Sequence, residues 1–122
     1  MKFDRNKRIS EEIKKIVSNL ISNEIKDPRI PRFTSITHVE TTRDHRYTYI
    51  YISFLQDNIN IEEAMKGLNK AKGFIRREIG KVITLHYTPE PVFKLDESIK
   101  NAMHLEKVIH DLDIDHENDD DE

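Results

Sequence analysis

Residues 69–83 read NKAKGFIRREIGKVI. Apolar residues recur here at helical spacing, yet a glycine interrupts the pattern among basic side chains. A glycine inside a helix costs about 1 kcal/mol relative to alanine. The chain has three glycines, Gly67, Gly73 and Gly80, and all of them fall in or beside this stretch. Elsewhere the chain turns on proline and polar residues. This segment therefore needs backbone without a side chain.

The surrounding charges suggest why. On a helix running from Ile61, the residues Lys66, Lys70, Gly73, Arg77 and Lys81 follow one another by steps of three and four, with Lys72 and Arg76 beside them. Gly73 is a gap in a basic row. A break at Gly73 would make Phe74, Ile75 and Arg76 the first turn of a new helix, whose free N–H groups and positive dipole end form a ready anion site. Without a Cβ at Gly73, a phosphate can approach the backbone closely. Basic side chains at a helix start oppose the dipole by a few tenths of a kcal/mol, an arrangement that an anion would neutralise. The plainer reading is a solvated basic face with a packing kink at Gly73. Gly80 is explained equally well by close packing onto a sheet.

Outward from this segment, periodicity assigns the rest. Ile9, Ile13, Ile16, Val17, Leu20, Ile21 and Ile25 mark an amphipathic helix, with Asp4 as N-cap and Pro28 beyond its end. The loop DPRIPR follows, then FTSITHVET, a β-branched strand whose alternation is not clean. After a turn at Arg43-Asp44-His45, YTYIYISFL alternates well, with Ile50, Ile52 and Phe54 on one side and Tyr47, Tyr49 and Tyr51 on the other. The two strands should pair as an antiparallel hairpin. Helical periodicity returns at Ile61, and Ala64, Leu68, Ala71, Ile75, Ile79 and Val82 form the apolar stripe of the helical segment. PVFKL is a short third strand. Asp96 or Ser98 then caps a last helix that turns Ile99, Met103, Leu105, Val108, Ile109 and Leu112 inward. The predicted order is α-β-β-α-kink-α-β-α.

The chain is 122 residues long, enough for one domain with a core. Charged residues make up 35% and apolar residues 36%, so that core must be compact. With no cysteine there are no disulfides, thiolate metal sites or thiol nucleophiles. No run approaches the roughly 20 apolar residues of a membrane span, and MKFDRNKRISEE lacks the apolar block of a signal peptide. A cytoplasmic location without membrane contact is expected. The formal net charge of −3 conceals an asymmetry, because residues 113–122, DIDHENDDDE, carry seven acids and no Lys or Arg. Without those seven, 16 acids stand against 20 bases, a net +4 over residues 1–112. A basic body points to a polyanionic partner. The chain divides into a folded unit, residues 1–112, and an acidic tail, 113–122, too charged to fold alone.

The element order, Ala71-Lys72-Gly73 at the kink, and the string AKGFIRREIGKVITL resemble the ribosome-binding factor A family. DPRI after the first helix, the TSITHVE and RYTYIYISFL strands and PVFKLDESI agree in order, so the resemblance covers roughly residues 3–110. It implies an α+β, type II KH-like domain in which an Ala-x-Gly kink replaces the usual GxxG loop. It further implies a protein that is not an enzyme, needs no cofactor, and binds the free 30S small ribosomal subunit. Such proteins assist late maturation of 16S rRNA near its 5′-terminal helix and matter most for growth in the cold. A monomer is expected, and an assembly GTPase is a candidate second partner. The acidic tail has no counterpart that can be carried over.

The RNA-binding residues expected are therefore Lys66, Lys70, Ala71, Lys72, Gly73, Arg76, Arg77 and Lys81. Lys2, Arg5, Lys7 and Arg8, at the start of the first helix, form either a second phosphate-contact patch or a solvated terminus. Tyr47, Tyr49 and Tyr51 could stack bases; the alternative is a half-buried strand face covered by charged neighbours. A competing functional reading takes this tyrosine strand, or the last helix, as a protein-interaction surface. The six histidines, at positions 38, 45, 86, 104, 110 and 116, show no metal-ligand spacing. Asp96-Glu97 and Glu62-Glu63 suit helix starts, not acid–base chemistry. The tail could fold back on the basic groove as an RNA mimic, or simply solubilise the protein.

Overall fold

The computed structural model describes residues 2–56 and 58–97, with side chains from residue 5 onward. Its elements are α1 (Lys2–Asn19), a wide π turn (Leu20–Glu24), β1 (Thr34–Thr41), β2 (Tyr47–Phe54), α2 (Ile61–Lys70), α3 (Lys72–Val82) and β3 (Glu90–Leu95). This is the α-β-β-α-kink-α-β order of the expected KH-like fold. The predicted last helix and acidic tail lie outside the described residues.

Three strands form one mixed sheet in the order β1-β2-β3. β1 and β2 run antiparallel, and β3 runs parallel to β2. Pro91 sits in β3, an edge strand, where a missing N–H is tolerated. Helices cover one face. Ile13 and Val17 from α1, Ile50 and Ile52 from β2, Leu68 from α2 and Ile75 and Ile79 from α3 are fully excluded from solvent. Burying such a side chain contributes about 1.5–3 kcal/mol, so this layer supplies most of the driving force. Val82, expected in the stripe, lies exposed at its end, as does Ile61 at the start of α2.

The imperfect alternation of β1 has a local cause. Ile36 pairs with Ile52 and Val39 with Ile50, a register shift that marks a β-bulge at Thr37. The extra residue lets Ile36 and Val39, three apart, both face the core. The Thr37 hydroxyl donates to the Asp96 carboxylate beyond the end of β3, with the Tyr51 carbonyl 3.4 Å away.

The first helix departs from expectation at its start and, although it ends before Pro28 as expected, closes through a π turn. It begins at Lys2, so Asp4 lies within the first turn rather than at the N-cap. At the other end the α-helix gives way at Leu20 to the π turn, closed by Ile25 N–H to Leu20 O at 2.8 Å. Ile25 is then extended, and the chain enters the Asp27–Ile30 loop.

A buried chain of hydroxyls ties α1 to the sheet. Ser10 Oγ donates to Thr41 Oγ1 at 3.0 Å and accepts from Thr41 N–H at 3.1 Å, while Thr41 Oγ1 lies 3.2 Å from Thr48 Oγ1. Replacing Thr41 by valine keeps the shape but removes the partner of two buried hydroxyls. The expected cost is about 1–3 kcal/mol, measured by urea unfolding as a lower midpoint with an unchanged slope.

Candidate nucleic-acid interface

The break between the two central helices falls at Ala71, not at Gly73. Ala71 ends α2 and caps α3 in a helical conformation (φ −84°, ψ −2°), and no side chain caps the new helix. Ala71 N–H is shared between the carbonyls of Gly67 and Leu68. Ile75 N–H donates to Ala71 O at 3.0 Å and begins the α3 ladder. The first turn is therefore Lys72, Gly73 and Phe74, whose amides precede that ladder. A shared amide at Ala71 lets the chain restart without a positive φ, and no glycine here adopts one.

Each glycine answers a different need. A Cβ on Gly67 would lie 3.0 Å from Ile30 Cγ1 and 3.3 Å from Asp27 Oδ2, so this position admits the DPRI loop against α2. A Cβ on Gly80 would lie 3.1 Å from Thr88 Oγ1. Gly80 thus makes room for the loop before β3 rather than for the sheet. At Gly73 the nearest atom is an Arg77 guanidinium nitrogen at 3.8 Å, and the residue is exposed. No other atom of the described residues comes within 4 Å of that space. The opening reaches the start of α3, with Arg77 folded back over it from one turn later.

The DPRI loop fixes the other side of the kink. Arg29 Nη2 donates to Asp27 Oδ2 at 2.6 Å; its Nε and its backbone N–H both donate to Oδ1 at 3.0 Å. These bonds, led by the guanidinium, pull the Asp27 carboxyl from 3.8 down to about 2, and the same side-chain bond raises the Arg29 guanidinium. Lys70, at the end of α2, adds a weaker attraction to Asp27.

The basic row divides once its partners are placed. Lys66 faces Glu63 at 3.4 Å and Glu62 at 3.9 Å, and Lys81 faces Glu78 at 3.0 Å. Such exposed pairs contribute little and exchange readily for another anion. Among the described residues, Lys70, Lys72, Arg76 and Arg77 have no carboxylate within ion-pair distance. Arg76 Nε instead donates to Thr88 O at 3.1 Å. The uncompensated charge thus concentrates around Gly73, with Lys66 and Lys81 at the margins.

The N-terminal basic residues lie elsewhere. Arg5, Lys7 and Arg8 are exposed near the start of α1, the end that meets the β1–β2 turn through Asn6 Oδ1 and His45 Nε2 at 2.9 Å. The DPRI loop and Gly67 lie beyond the other end, and 18 helical residues between them span about 27 Å. Lys2 opens α1 on the same distant side. Lys7 lines a cleft of about 930 Å³ between α1 and β1, together with Lys14 and Arg43.

The tyrosine stripe is also divided. Lys94 Nζ lies over the Tyr49 ring at 5.1 Å and His38 packs against Tyr51 at 5.6 Å, leaving both rings half-buried; Tyr47 is exposed. Lys94 and His38 thus cover part of the strand face at Tyr49 and Tyr51. Sequence reasoning passed over Arg46 and Tyr87, which the fold brings together. Their only signal was an aromatic residue in a polar stretch.

No helix among the described residues is long and apolar enough to cross a membrane. The family described as Ribosome-binding factor A matches residues 5–109. Ribosome-binding factor A of Alkaliphilus metalliredigens is 50% identical over 107 residues, covering 88% of this chain and 78% of that one. The Clostridioides difficile protein of the same name is 49% identical, covering 88% and 83%. Among solved structures, a Thermotoga maritima protein described as a candidate ribosome binding factor A is 34% identical, covering 77% of this chain and 89% of that one, with a TM-score of 0.67. Ribosome-binding factor A from Thermus thermophilus shares the fold at 16% identity, covering 74% and 94%, with a TM-score of 0.60. With the kinked helix pair, the mixed sheet and this match over most of its length, the chain belongs to the ribosome-binding factor A family.

Proposed function

We propose that this protein is a non-enzymatic assembly factor that binds the free 30S subunit through its helix–kink–helix surface and assists late maturation of 16S rRNA. The observation that carries the reading is the open, Cβ-free first turn of α3 beside Lys70, Lys72, Arg76 and Arg77, which have no carboxylate within ion-pair distance among the described residues. Amides at a helix start and cations without counter-ions together form a phosphate site. Family membership adds support, as does the fitting of a Thermus thermophilus relative into a map of a 30S complex.

The mechanism is occupancy. The kink holds rRNA phosphates while the rigid α/β body blocks premature pairing or docking until maturation is complete. Lysine and arginine supply position and affinity, and groove shape supplies choice of site. Residues 1–112 are the binding unit and residues 113–122 a solubilising tail. The protein acts in the cytoplasm as a monomer, and its contribution near the 5′-terminal helix of 16S rRNA is greatest in the cold. Release by an assembly GTPase fits a factor that leaves on completion.

Co-sedimentation tests this directly. The protein is expected to travel with free small subunits and not with joined ribosomes. On isolated rRNA fragments, engagement of about six phosphates lowers affinity roughly a thousand-fold between 50 and 200 mM salt. Equal binding to joined ribosomes, or a flat salt response on the fragments, would overturn the reading.

A further inference from the structure

The loop between α3 and β3 presents an aromatic ring at a place where the backbone is pinned. Tyr87 is 46% exposed. On its C-terminal side, Arg76 Nε holds the Thr88 carbonyl, the Thr88 side chain packs over Gly80, Pro89 is fully buried, and Glu90 N–H donates to Arg46 O at 2.8 Å. The ring is thus displayed from a fixed frame. Arg46 places its guanidinium 5.4 Å from the Tyr87 ring centroid, and His86 meets the ring edge-on at 4.5 Å. The Arg46–Asp44 pair, at 3.8 Å with both groups about 60% exposed, is too loose to hold the guanidinium back.

We infer that Tyr87, together with Arg46, is a stacking platform for an unpaired base of the RNA whose phosphates rest on the kink, an assignment that builds on the proposed phosphate site. Single-stranded RNA is recognised by stacking its bases on aromatic rings and on arginine guanidinium planes, and both surfaces are adjacent here. Arg76 connects the two sites. It sits one helical turn after Lys72, about 6 Å along the axis, and its side chain already reaches the residue next to Tyr87. A strand anchored at the first turn of α3 would run along that helix onto the ring. Because every base has a π face, the platform tolerates sequence. A ring fixed before binding loses little freedom on stacking.

The test uses the full chain, a labelled single-stranded RNA of mixed sequence, and the same ribose-phosphate backbone made abasic. Tyr87→Ala is expected to weaken binding to the intact RNA roughly five- to a hundred-fold, with no change in the salt slope, whereas Tyr87→Phe retains affinity. On the abasic strand, wild type and Tyr87→Ala should bind equally. Salt-dependent binding by wild type that Tyr87→Ala leaves unchanged would overturn the stacking site alone. A loss on the abasic strand as large as on the intact one would do the same, because it would reflect damage to the fold or the phosphate site. Absence of binding by wild type to either strand would overturn the phosphate site and the platform together.

Discussion

Reversing Arg76 and Arg77 to glutamate is expected to lower affinity for small-subunit RNA about a hundred-fold at moderate salt. Engaging six to ten phosphates costs a factor of 10³–10⁵ over a fourfold rise in salt. Each contact is therefore worth a factor of roughly three to four over that range. The double reversal removes two cations and adds two anions, a change of four unit charges beside the first turn of α3. It should also reduce the salt slope by two or more. Stability should hardly change. Both side chains are exposed, and among the described residues the one hydrogen bond lost is Arg76–Thr88, about 1 kcal/mol. Filter binding across a salt series, beside thermal unfolding of the same samples, separates the two effects. A variant that unfolds near the wild-type temperature yet binds normally would remove the kink from the interface.

Much of this site was legible from spacing. The periods of 3.6 and 2 placed α1, both hairpin strands and the kinked helix pair, because each element buries one continuous stripe. The element bounds that moved did so where backbone bonding outweighed pattern. Ala71 ends α2 because its N–H is shared between two carbonyls, although the apolar spacing runs on without a mark. The bulge at Thr37 was visible only as imperfect alternation, since its cause is a partner strand that the local sequence does not contain. The even basic row dissolved for a similar reason: Glu62, Glu63 and Glu78 neutralise its ends, and an acid one turn away is easily read as mere solubility. Arg46 and Tyr87 lie 41 positions apart, and only the parallel placement of β3 beside β2 brings them into contact.

The three glycines allow structure and binding to be separated within one helix pair. Gly67→Ala is expected to destabilise the protein by about 1–3 kcal/mol, the range for overpacking. The added carbon meets Ile30 Cγ1 at 3.0 Å, and Ile30 cannot easily retreat, since it packs on the core and its N–H is tied to Asp27 O at 3.0 Å. The helical preference for alanine, about 1 kcal/mol, offsets only part of that. Gly73→Ala has the opposite signature. Among the described residues its added carbon meets an exposed guanidinium at 3.8 Å, an ordinary contact, and no positive φ is lost, so stability should stay level or rise by up to about 1 kcal/mol. Affinity for small-subunit RNA should nevertheless fall roughly ten-fold, because the methyl group occupies the approach of a phosphate to the first-turn amides. Denaturant unfolding and RNA binding measured on both variants give a crossed pattern: Gly67→Ala less stable but, where folded, fully competent, and Gly73→Ala as stable as wild type but weak in binding. Retention of full affinity by Gly73→Ala would show that the side chains of Lys70, Lys72, Arg76 and Arg77, and not the backbone, hold the phosphate. The glycine would then have no binding role to set against its helical cost of about 1 kcal/mol.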